Sequence, residues 1–206
     1  RYNLEAKVIA LSRTPELFCK EYPEIAGADA IHWLKGDVRA LANEAANGCT
    51  FAIHAATDVV ASTSPTEIFE TCNTGTRRVL DAMAASAEVS RVLLLSSGAV
   101  YGRTPPEVTA IPESWAGAPD PLIPASAYGE GKRVSELLCA IAAAANPNIQ
   151  VSIARCFAFV GPHLPLDKHF AIGNFIKAAM GSEDIHIQGD GTPIRSYLYA
   201  ADLVYW

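Results

Sequence analysis

The sequence has 206 residues, of which 50% are hydrophobic, and a formal net charge of −6. This length and composition suffice for one substantial core, so we expect one domain or part of one, and the acidic balance argues against a nucleic-acid surface. No apolar run is long enough to cross a membrane, and nothing resembles a signal peptide. The five cysteines are well separated and never spaced as CxxC, which favours reduced thiols in a cytoplasmic protein over disulfides or a zinc site.

Three short apolar runs early in the chain predict strands that are buried in a sheet. They cover residues 7–11, 31–34 and 51–55. A long helix is predicted over residues 66–87, because its apolar positions recur at helical spacing. These positions are Ile68, Phe69, Cys72, Val79, Leu80 and Met83. His54, in the third run, is interpreted as a core histidine with a satisfied hydrogen bond rather than as a catalyst.

The middle of the chain carries residues typical of proton transfer. A fourth apolar run, residues 92–95, ends in a pair of serines, of which the second is Ser97. The helix that follows places Tyr128 and Lys132 four residues apart, so both side chains project from one face. A lysine charge stabilises a tyrosinate and lowers the pKa of a phenol from about 10 toward neutrality. A phenol tuned in this way can exchange a proton with an alcohol while a hydride leaves the same carbon.

The remaining segments continue the alternation of helices and strands. The helix that carries Tyr128 is predicted over residues 126–145. Its apolar stripe consists of Val134, Leu137, Leu138 and Ile141. A strand over residues 151–159 follows, and then a helix that begins near Ile172. Strands that alternate with helices predict a doubly wound α/β fold with a parallel sheet and right-handed crossovers.

Three motifs resemble the extended short-chain dehydrogenase/reductases, and among them the NAD-dependent epimerase/dehydratases that act on nucleotide sugars. They are SGAVYG from Ser97, YGEGK from Tyr128 and RCFAFVGP from Arg155. The resemblance covers nearly the whole chain and implies a Rossmann-like fold. Residues 1–160 would form a dinucleotide-binding domain, and residues 161–206 would begin a substrate-binding part.

The resemblance assigns the chemistry to three side chains. It implies Tyr128 as the general acid/base, Lys132 as the residue that tunes it and holds the nicotinamide ribose, and Ser97 as the hydrogen-bond partner of the reacting oxygen. The family's 4,6-dehydratases place an Asp–Glu pair directly after this hydroxyl, whereas this chain has Gly98 and Ala99. We therefore expect a 4-epimerase or a ketoreductase. A 4,6-dehydratase and a non-catalytic dinucleotide sensor on the same fold stay open as alternatives.

The glycine-rich turn GxxGxxG that follows the first strand in this family does not occur in the sequence. The resemblance implies that the first strand and this turn precede residue 1, with a place in the sheet between the strands at residues 7–11 and 51–55. We therefore expect an internal piece of a longer enzyme. Its cofactor would be a tightly bound NAD or NADP, and its substrate a nucleoside-diphosphate sugar.

Five residues besides Tyr128 and Lys132 are implied to contact the cofactor: Arg13, Asp37, Val38, Ala55 and Ala56. Ser12 occupies the position where NAD enzymes carry an acidic residue, so Arg13 favours the 2′-phosphate of NADP, although a plain exposed loop residue is an equally open interpretation. Asp37, with Val38 beside it, matches the aspartate that accepts a hydrogen bond from the adenine amino group, and it can also cap the helix that follows. The two alanines are small enough for close approach of the backbone to the cofactor.

Two residues near the end of the sequence are implied to hold the diphosphate of the substrate. Asn174 would hydrogen-bond a phosphate oxygen, and Arg195 would clamp the diphosphate with its planar guanidinium, unless it forms an ordinary surface ion pair. Arg195 follows the sequence IHIQGDG, which resembles the family's strand and Gly-Asp-Gly turn. Ala158 stands where the family has an asparagine on the diphosphate. His163 and His169 match no metal motif, so no metal is expected.

Two of the predicted helices bear on assembly. The helices over residues 73–83 and 126–144 are apolar over more than one face, as helices covered on both sides are. In the family such helices pair across a two-fold axis into a four-helix bundle, so the resemblance implies a homodimer.

Overall fold

Strands and helices alternate along the chain in the computed structural model, which describes residues 5–57, 63–168, 170–187 and 189–206. The elements in these ranges are β1 (Val8–Ser12), α1 (Pro15–Glu21), α2 (Pro23–Ala26), β2 (Ile31–Lys35), β3 (Phe51–His54), α3 (Pro65–Ala85), β4 (Arg91–Ser97), α4 (Ala127–Ala145), β5 (Gln150–Cys156), β6 (Ala158–Val160), α5 (Ala171–Gly181), β7 (Tyr197–Tyr199) and α6 (Ala200–Tyr205). The described residues divide into two compact units, one of residues 5–57 and 63–154 and one from residue 155 onward.

The first unit is built on parallel strands, as the alternation of elements predicted. β1 pairs with β2 in parallel, with Val8 opposite Ile31. β3, β4 and β5 form a second sheet in that order, and β3 runs parallel to β4 with Phe51 opposite Arg91. Strands that run parallel and are joined through helices confirm the Rossmann-like α/β prediction. β1 and β3 belong to different sheets in the part of the chain that the structure describes.

The core of the first unit lies between α3 and the strands. α3 begins after Ser64, whose hydroxyl accepts from the backbone N–H of Glu67, and Pro65 occupies its first turn. The main cluster of buried residues consists of Val38, Ala46, Val79, Ala82, Met83, Val89, Val92 and Ile149. A second cluster, of Leu80, Leu94 and Cys139, joins α3, β4 and α4. These clusters pack α3 and α4 against the strands of the first unit.

The inward face of α4 is small and polar rather than apolar. Its buried residues are Gly129, Gly131, Lys132, Ser135 and Cys139. Leu137 and Ile141, which belong to the predicted apolar stripe, are 60% and 56% exposed. The reason is the close approach of α3, because a Cβ at Gly131 would lie 2.8 Å from Cβ of Cys72. Only small side chains fit at such a crossing.

Three details differ from the predictions. The single strand expected over residues 151–159 is interrupted at Phe157, and its second part, β6, pairs with β7. The expected strand in IHIQ is absent over residues 185–187, while Gln188 lies outside the described residues. Asp37 caps a 3₁₀ helix, Val38–Ala40, rather than an α-helix.

Two observations bear on the environment of the protein. None of the helices in the described ranges is both long enough and apolar enough to cross a membrane. All five cysteines are free thiols, and two of them, Cys72 and Cys139, are buried. Burial raises the pKa of the Cys139 thiol to about 11.

Candidate active site

The carboxyl end of β4 and the first turns of α4 are joined by two side-chain hydrogen bonds. Lys132, which is only 3% exposed, donates from Nζ to the carbonyl oxygen of Leu95 over 2.8 Å. In the opposite direction, the hydroxyl of Ser96 on β4 donates to Oε1 of Glu136 on α4 over 2.6 Å. Because hydrogen bonds to charged groups are the stronger class, these two bonds fix the register of α4 against β4.

Ser97 is the last residue of β4, and its hydroxyl is used differently from that of Ser96. Ser96 is buried and donates to Glu136, whereas Ser97 is half-buried and its Oγ accepts from the backbone N–H of Ala99 over 3.2 Å. This bond caps the 3₁₀ helix Gly98–Tyr101. It uses a lone pair of Oγ, so the hydroxyl keeps its own hydrogen to donate. Of the two serines, Ser97 therefore has the exposure and the donor that contact with a bound molecule requires.

Tyr128 and Lys132 lie one turn apart on α4, as their spacing predicted. Nζ of Lys132 is 6.0 Å from the ring centroid of Tyr128. Gly129, between them, lies against the turn after Ser97, because a Cβ at this position would be 2.9 Å from the carbonyl oxygen of Ala99. The structure thus brings Ser97, Tyr128 and Lys132 to the same end of β4.

The loop between β4 and α4 is fastened where it reaches α4. Nη1 of Arg133 donates to the carbonyl oxygen of Gly117 over 3.2 Å. A Cβ at Gly129 would lie 2.7 Å from Cγ of Pro119. Residues 117–119 therefore pack directly against the helical turn that carries Tyr128.

His54 is the last residue of β3 and is buried, with 5% exposure. Its Nε2 is 3.0 Å from Oγ1 of Thr76 on α3, which confirms the interpretation of His54 as a satisfied core histidine. Burial, and to a lesser degree the positive charge of Lys132, lowers the pKa of His54 to about 4. The imidazole is therefore neutral near pH 7.

A second candidate region is a cavity of about 170 Å³ at the carboxyl ends of β1, β2 and β3. It is lined by Leu11, Ser12, Arg13, Gly36, Asp37, Val38, Ala56, Thr57 and Thr71. In open α/β folds, ligands bind in the crevice outside the carboxyl ends of the strands. Of the residues predicted for the cofactor, Arg13, Asp37, Val38 and Ala56 line this cavity, whereas Ala55 is exposed outside its lining.

Asp37 is the charged acceptor in this cavity, and Arg39 holds its carboxylate in place. Nε and Nη2 of Arg39 donate to it over 3.0 and 2.6 Å, and the backbone N–H of Arg39 donates over 2.8 Å. These hydrogen bonds lower the pKa of Asp37 to about 2. A carboxylate offers about four acceptor positions, so Asp37 can accept a further bond from an adenine amino group. Leu11 and Val38 add apolar neighbours to this carboxylate in the lining of the cavity.

Sequence reasoning missed several residues of these two regions. Thr57 and Thr71 line the cavity, and Glu136 binds Ser96. A signal for Glu136 existed, because it follows Lys132 by four residues on the same helix face. Thr57 directly follows the alanine pair that was predicted, but Thr71 reaches the cavity only through the packing of α3.

Asn174 and Arg195 lie in the second compact unit. Asn174 is exposed on the first turn of α5, and Arg195 is exposed in the segment before β7, where Nη1 donates to the carbonyl oxygen of Ile194 over 3.0 Å. Their contacts with a diphosphate stay predictions. Within the described ranges, which do not include His169, no three His, Cys, Asp or Glu residues are grouped so as to hold a metal ion.

Comparison with known proteins identifies the family of this chain and several relatives of part of it. The model of the NAD dependent epimerase/dehydratase family matches residues 2–205. UDP-glucuronic acid decarboxylase 1 of Xenopus tropicalis is 34% identical over 136 residues, which are 66% of this chain and 32% of that protein. UDP-glucuronic acid decarboxylase 5 of Arabidopsis thaliana is 37% identical over 115 residues, 56% of this chain and 33% of that protein. The matches span about a third of the length of these curated relatives.

Solved structures show the same fold. The UDP-glucuronic acid 4-epimerase from Bacillus cereus in complex with NAD superposes with a TM-score of 0.77 at 21% identity, over 96% of this chain and 63% of that chain. The dTDP-glucose 4,6-dehydratase from Bacillus anthracis in complex with NAD gives 0.75 at 16% identity, over 97% and 61%. The TM-scores establish that the fold is shared. Because the identities are this low, the reaction has to be argued from the residues.

Proposed function

Because the chain belongs to the NAD dependent epimerase/dehydratase family, we propose that it supplies the dinucleotide site and the acid–base residues of an enzyme that oxidises and reduces one carbon of a nucleoside-diphosphate sugar. The observation that carries this proposal is the buried ammonium group of Lys132, held on the Leu95 carbonyl beside Tyr128. Burial of a lysine ammonium group costs free energy unless a neighbouring group interacts with its charge. Stabilising a neighbouring tyrosinate is such a use.

Three side chains would carry the proton chemistry. Tyr128 takes the proton from the sugar hydroxyl and later returns it, and the charge of Lys132 favours the tyrosinate that this exchange requires. Ser97 donates its hydroxyl hydrogen to the same sugar oxygen and orients it. NAD or NADP, held by Lys132 and the residues of the cavity, would supply the hydride chemistry at the sugar carbon.

The cavity at the ends of β1, β2 and β3 would hold the adenosine end of the cofactor, with Asp37 on the adenine amino group. Lys132 would hold the nicotinamide ribose. Ser12 provides no carboxylate at the ribose position, and Arg13 beside it favours the 2′-phosphate of NADP. Titration calorimetry should give a Kd about tenfold lower for NADP than for NAD, and Arg13→Gln should remove the difference. Equal affinities in the unaltered protein would refute this preference.

The turn after Ser97 favours an epimerase or a ketoreductase over a dehydratase. Removal of water from a sugar needs an acid and a base at neighbouring carbons, and neither Gly98 nor Ala99 can supply one. Residues 91–106 contain no Asp or Glu at all. Incubation of the full-length protein with a nucleoside-diphosphate-glucose should therefore yield no product that has lost water, as measured by mass spectrometry. Accumulation of a 4-keto-6-deoxy sugar would overturn this choice and establish the dehydratase alternative.

A hexuronic acid is the favoured sugar, and decarboxylation is a second candidate reaction. The curated relatives above are named as UDP-glucuronic acid decarboxylases, and one structural neighbour is a UDP-glucuronic acid 4-epimerase. Oxidation of C4 in such a sugar creates a β-keto acid, which loses carbon dioxide without a further catalytic carboxylate. With UDP-glucuronic acid as probe, a product of unchanged mass indicates epimerisation, and a UDP-pentose indicates decarboxylation. Failure of both would exclude this sugar.

The substrate diphosphate would be held by Asn174 and Arg195. Arg195→Ala should raise KM for the nucleotide sugar by about tenfold or more with a smaller change in kcat, because the lost contact binds a part of the substrate that does not react. Asn174→Ala should act in the same direction with a smaller effect. An unchanged KM in Arg195→Ala would leave it the ordinary role of a surface residue.

A non-catalytic dinucleotide sensor would need the cavity but not the buried lysine. Cofactor binding without turnover of any nucleotide sugar in a panel would favour this alternative.

The free thiols of all five cysteines agree with the proposed cytoplasmic location.

The outward side of α4 supports a homodimer. Leu137 and Ile141 are more than half exposed there, and large apolar side chains on one helix face are typical of an interface across a two-fold axis. Sedimentation of the full-length protein at micromolar concentration should show a dimer, and Leu137→Lys should shift it toward the monomer. A monomeric unaltered protein would count against this assembly.

A further inference from the structure

Three buried polar side chains run in a line from β3 through α3 to α4. His54, Thr76 and Ser135, called here the polar chain, are 5%, 1% and 1% exposed. Nε2 of His54 lies 3.0 Å from Oγ1 of Thr76. Oγ1 of Thr76 lies 2.9 Å from Oγ of Ser135. None of the three lines the cavity.

The end of the polar chain fixes the direction of every bond in it. Oγ of Ser135 lies 3.0 Å from the carbonyl oxygens of both Cys72 and Gly131. Carbonyls can only accept, so the single hydroxyl hydrogen of Ser135 goes to them. Ser135 must then accept from Thr76, and Thr76 must accept from His54. This order requires a hydrogen on Nε2 of His54, and because burial keeps the imidazole neutral near pH 7, Nδ1 then carries none.

The polar chain has no evident value as core packing. Buried polar groups cost free energy unless they are bonded, and an apolar set of the same shape is often equally stable. One of its two final acceptors, however, is the carbonyl oxygen of Gly131, the residue directly before Lys132. It reaches that carbonyl at a point where α3 and α4 are tightly packed, because a Cβ at Gly131 would lie 2.8 Å from Cβ of Cys72.

We propose that the polar chain positions Lys132 for the reaction, by holding the first turns of α4 in one register against α3 and β3. This inference rests on the proposed function, in which the ammonium group of Lys132 must stay beside Tyr128. The hydrogen bond from Nζ to the Leu95 carbonyl tolerates little displacement of α4. A shift of about 1 Å in a catalytic group can cost about a hundredfold in rate. His54, Thr76 and Ser135 are positioning residues, since none of them touches a reacting atom.

Thr76→Val tests the proposal in the full-length enzyme, because valine keeps the shape and removes the hydrogen bonds. We expect kcat to fall by about tenfold or more, with KM for the nucleotide sugar within about twofold. Thr76→Ser, which restores the hydroxyl, should recover most of the lost rate. Cys139→Ala is the matched control, because Cys139 is 1% exposed and lies one turn beyond Ser135 on α4. This substitution should lower the free energy of unfolding but leave kcat within about twofold of that of the unaltered protein.

Wild-type kcat in Thr76→Val would overturn the proposal, as would an equal loss of kcat in Cys139→Ala. If Thr76→Val does not fold, Ser135→Ala provides the same test.

The direction of the hydrogen bonds in the polar chain can be measured separately. A ¹⁵N–¹H correlation spectrum of the unaltered protein near pH 7 should show His54 protonated on Nε2. Protonation on Nδ1 would break the chain. Failure of the proposed function appears separately, as full turnover in Tyr128→Phe.

Discussion

The two candidate regions of the first unit use their polar residues in different ways. At the junction of β4 and α4, Lys132 and the polar chain are 5% exposed or less, and each side chain is bound to a neighbouring element. At the cavity, Asp37 of the lining is paired with Arg39, and the two side chains are 28% and 26% exposed. The first region is a buried network that joins strands to two helices, and the second is an open pocket beside the ion pair of Asp37 and Arg39.

This difference predicts that substitutions in the two regions change different quantities: stability and turnover at the junction, and cofactor affinity in the cavity. Polar groups in a low-dielectric interior depend on one another, so the loss of one partner at the junction should disturb both folding and reaction. Exposed ion pairs contribute about 0–1 kcal/mol, so a change in the cavity should appear mainly in cofactor affinity. The following substitutions test whether the two regions differ in this way.

The largest expected effect is that of Tyr128→Phe on turnover. Removal of a positioned acid/base costs about 10²–10⁴-fold in rate, while cofactor affinity should stay nearly unchanged because the ring remains. Turnover and calorimetric cofactor binding are the two measurements. Tyr101→Phe is the control, since Tyr101 is a 4% exposed tyrosine in the neighbouring turn, and it should retain activity. Full activity in Tyr128→Phe would remove Tyr128 from the mechanism.

Gly131→Ala should disturb the packing of α4 against α3, because it adds a methyl group where the two helices are in contact. The new Cβ would lie 2.8 Å from Cβ of Cys72, and overpacking of this kind costs about 1–3 kcal/mol. Because α4 must move to relieve the contact, kcat should fall together with the free energy of unfolding. Gly189→Ala is the matched control, because a Cβ there meets nothing within 4 Å. Equal stability of the two variants would contradict the close packing of α3 and α4.

His54 should make the stability of the junction depend on pH. Its pKa in the folded protein is about 4, below the ordinary value of 6.5, so the unfolded chain binds more protons between these values. The stabilisation is present above about pH 6.5 and is lost as the pH falls toward 4. Between about pH 7 and about pH 5, the unaltered protein should lose about 2 kcal/mol more unfolding free energy than His54→Gln. Parallel pH profiles of the two proteins would contradict the buried neutral imidazole.

The smallest expected effect on stability is that of Asp37→Asn in the cavity. The pKa of Asp37 is about 2, below the ordinary value of 3.8, so its contribution is present above about pH 4 and is lost as the pH falls toward 2. Because the pair with Arg39 is partly exposed, denaturation near pH 7 should show a loss of about 1 kcal/mol or less. Cofactor affinity should fall by more than this, through the lost adenine contact. A large loss of stability with unchanged affinity would reverse the distinction between the two regions.

The elements that sequence predicted well are those with local patterns. Apolar runs indicated the first four strands, and helical spacing indicated α3 and the Tyr128–Lys132 pair. The hydrogen bonds that support this pair could not be predicted in the same way. Ser96 and Glu136 are 40 residues apart, and His54 and Thr76 are 22 apart, so only the folded chain brings them together.

The faces of α4 show the same limit. Leu137 and Ile141 resemble core positions in the sequence, yet they point outward, because the crossing with α3 admits only residues the size of Gly131 and Ser135. How closely two helices approach is a property of the fold and not of either helix alone. The break at Phe157 has a similar origin, since β6 leaves the sheet of β5 to pair with β7.

The central claim is that the residues at the end of β4 oxidise and reduce one carbon of a nucleotide sugar. It is tested most directly with full-length protein, bound cofactor and a panel of nucleoside-diphosphate hexoses and hexuronic acids, each deuterated at C4. The account predicts that quenched samples contain deuterium on the cofactor, detected by mass spectrometry, and that Tyr128→Phe abolishes this transfer. Conversion of a sugar while the cofactor never carries deuterium, or transfer that is unchanged in Tyr128→Phe, would contradict it.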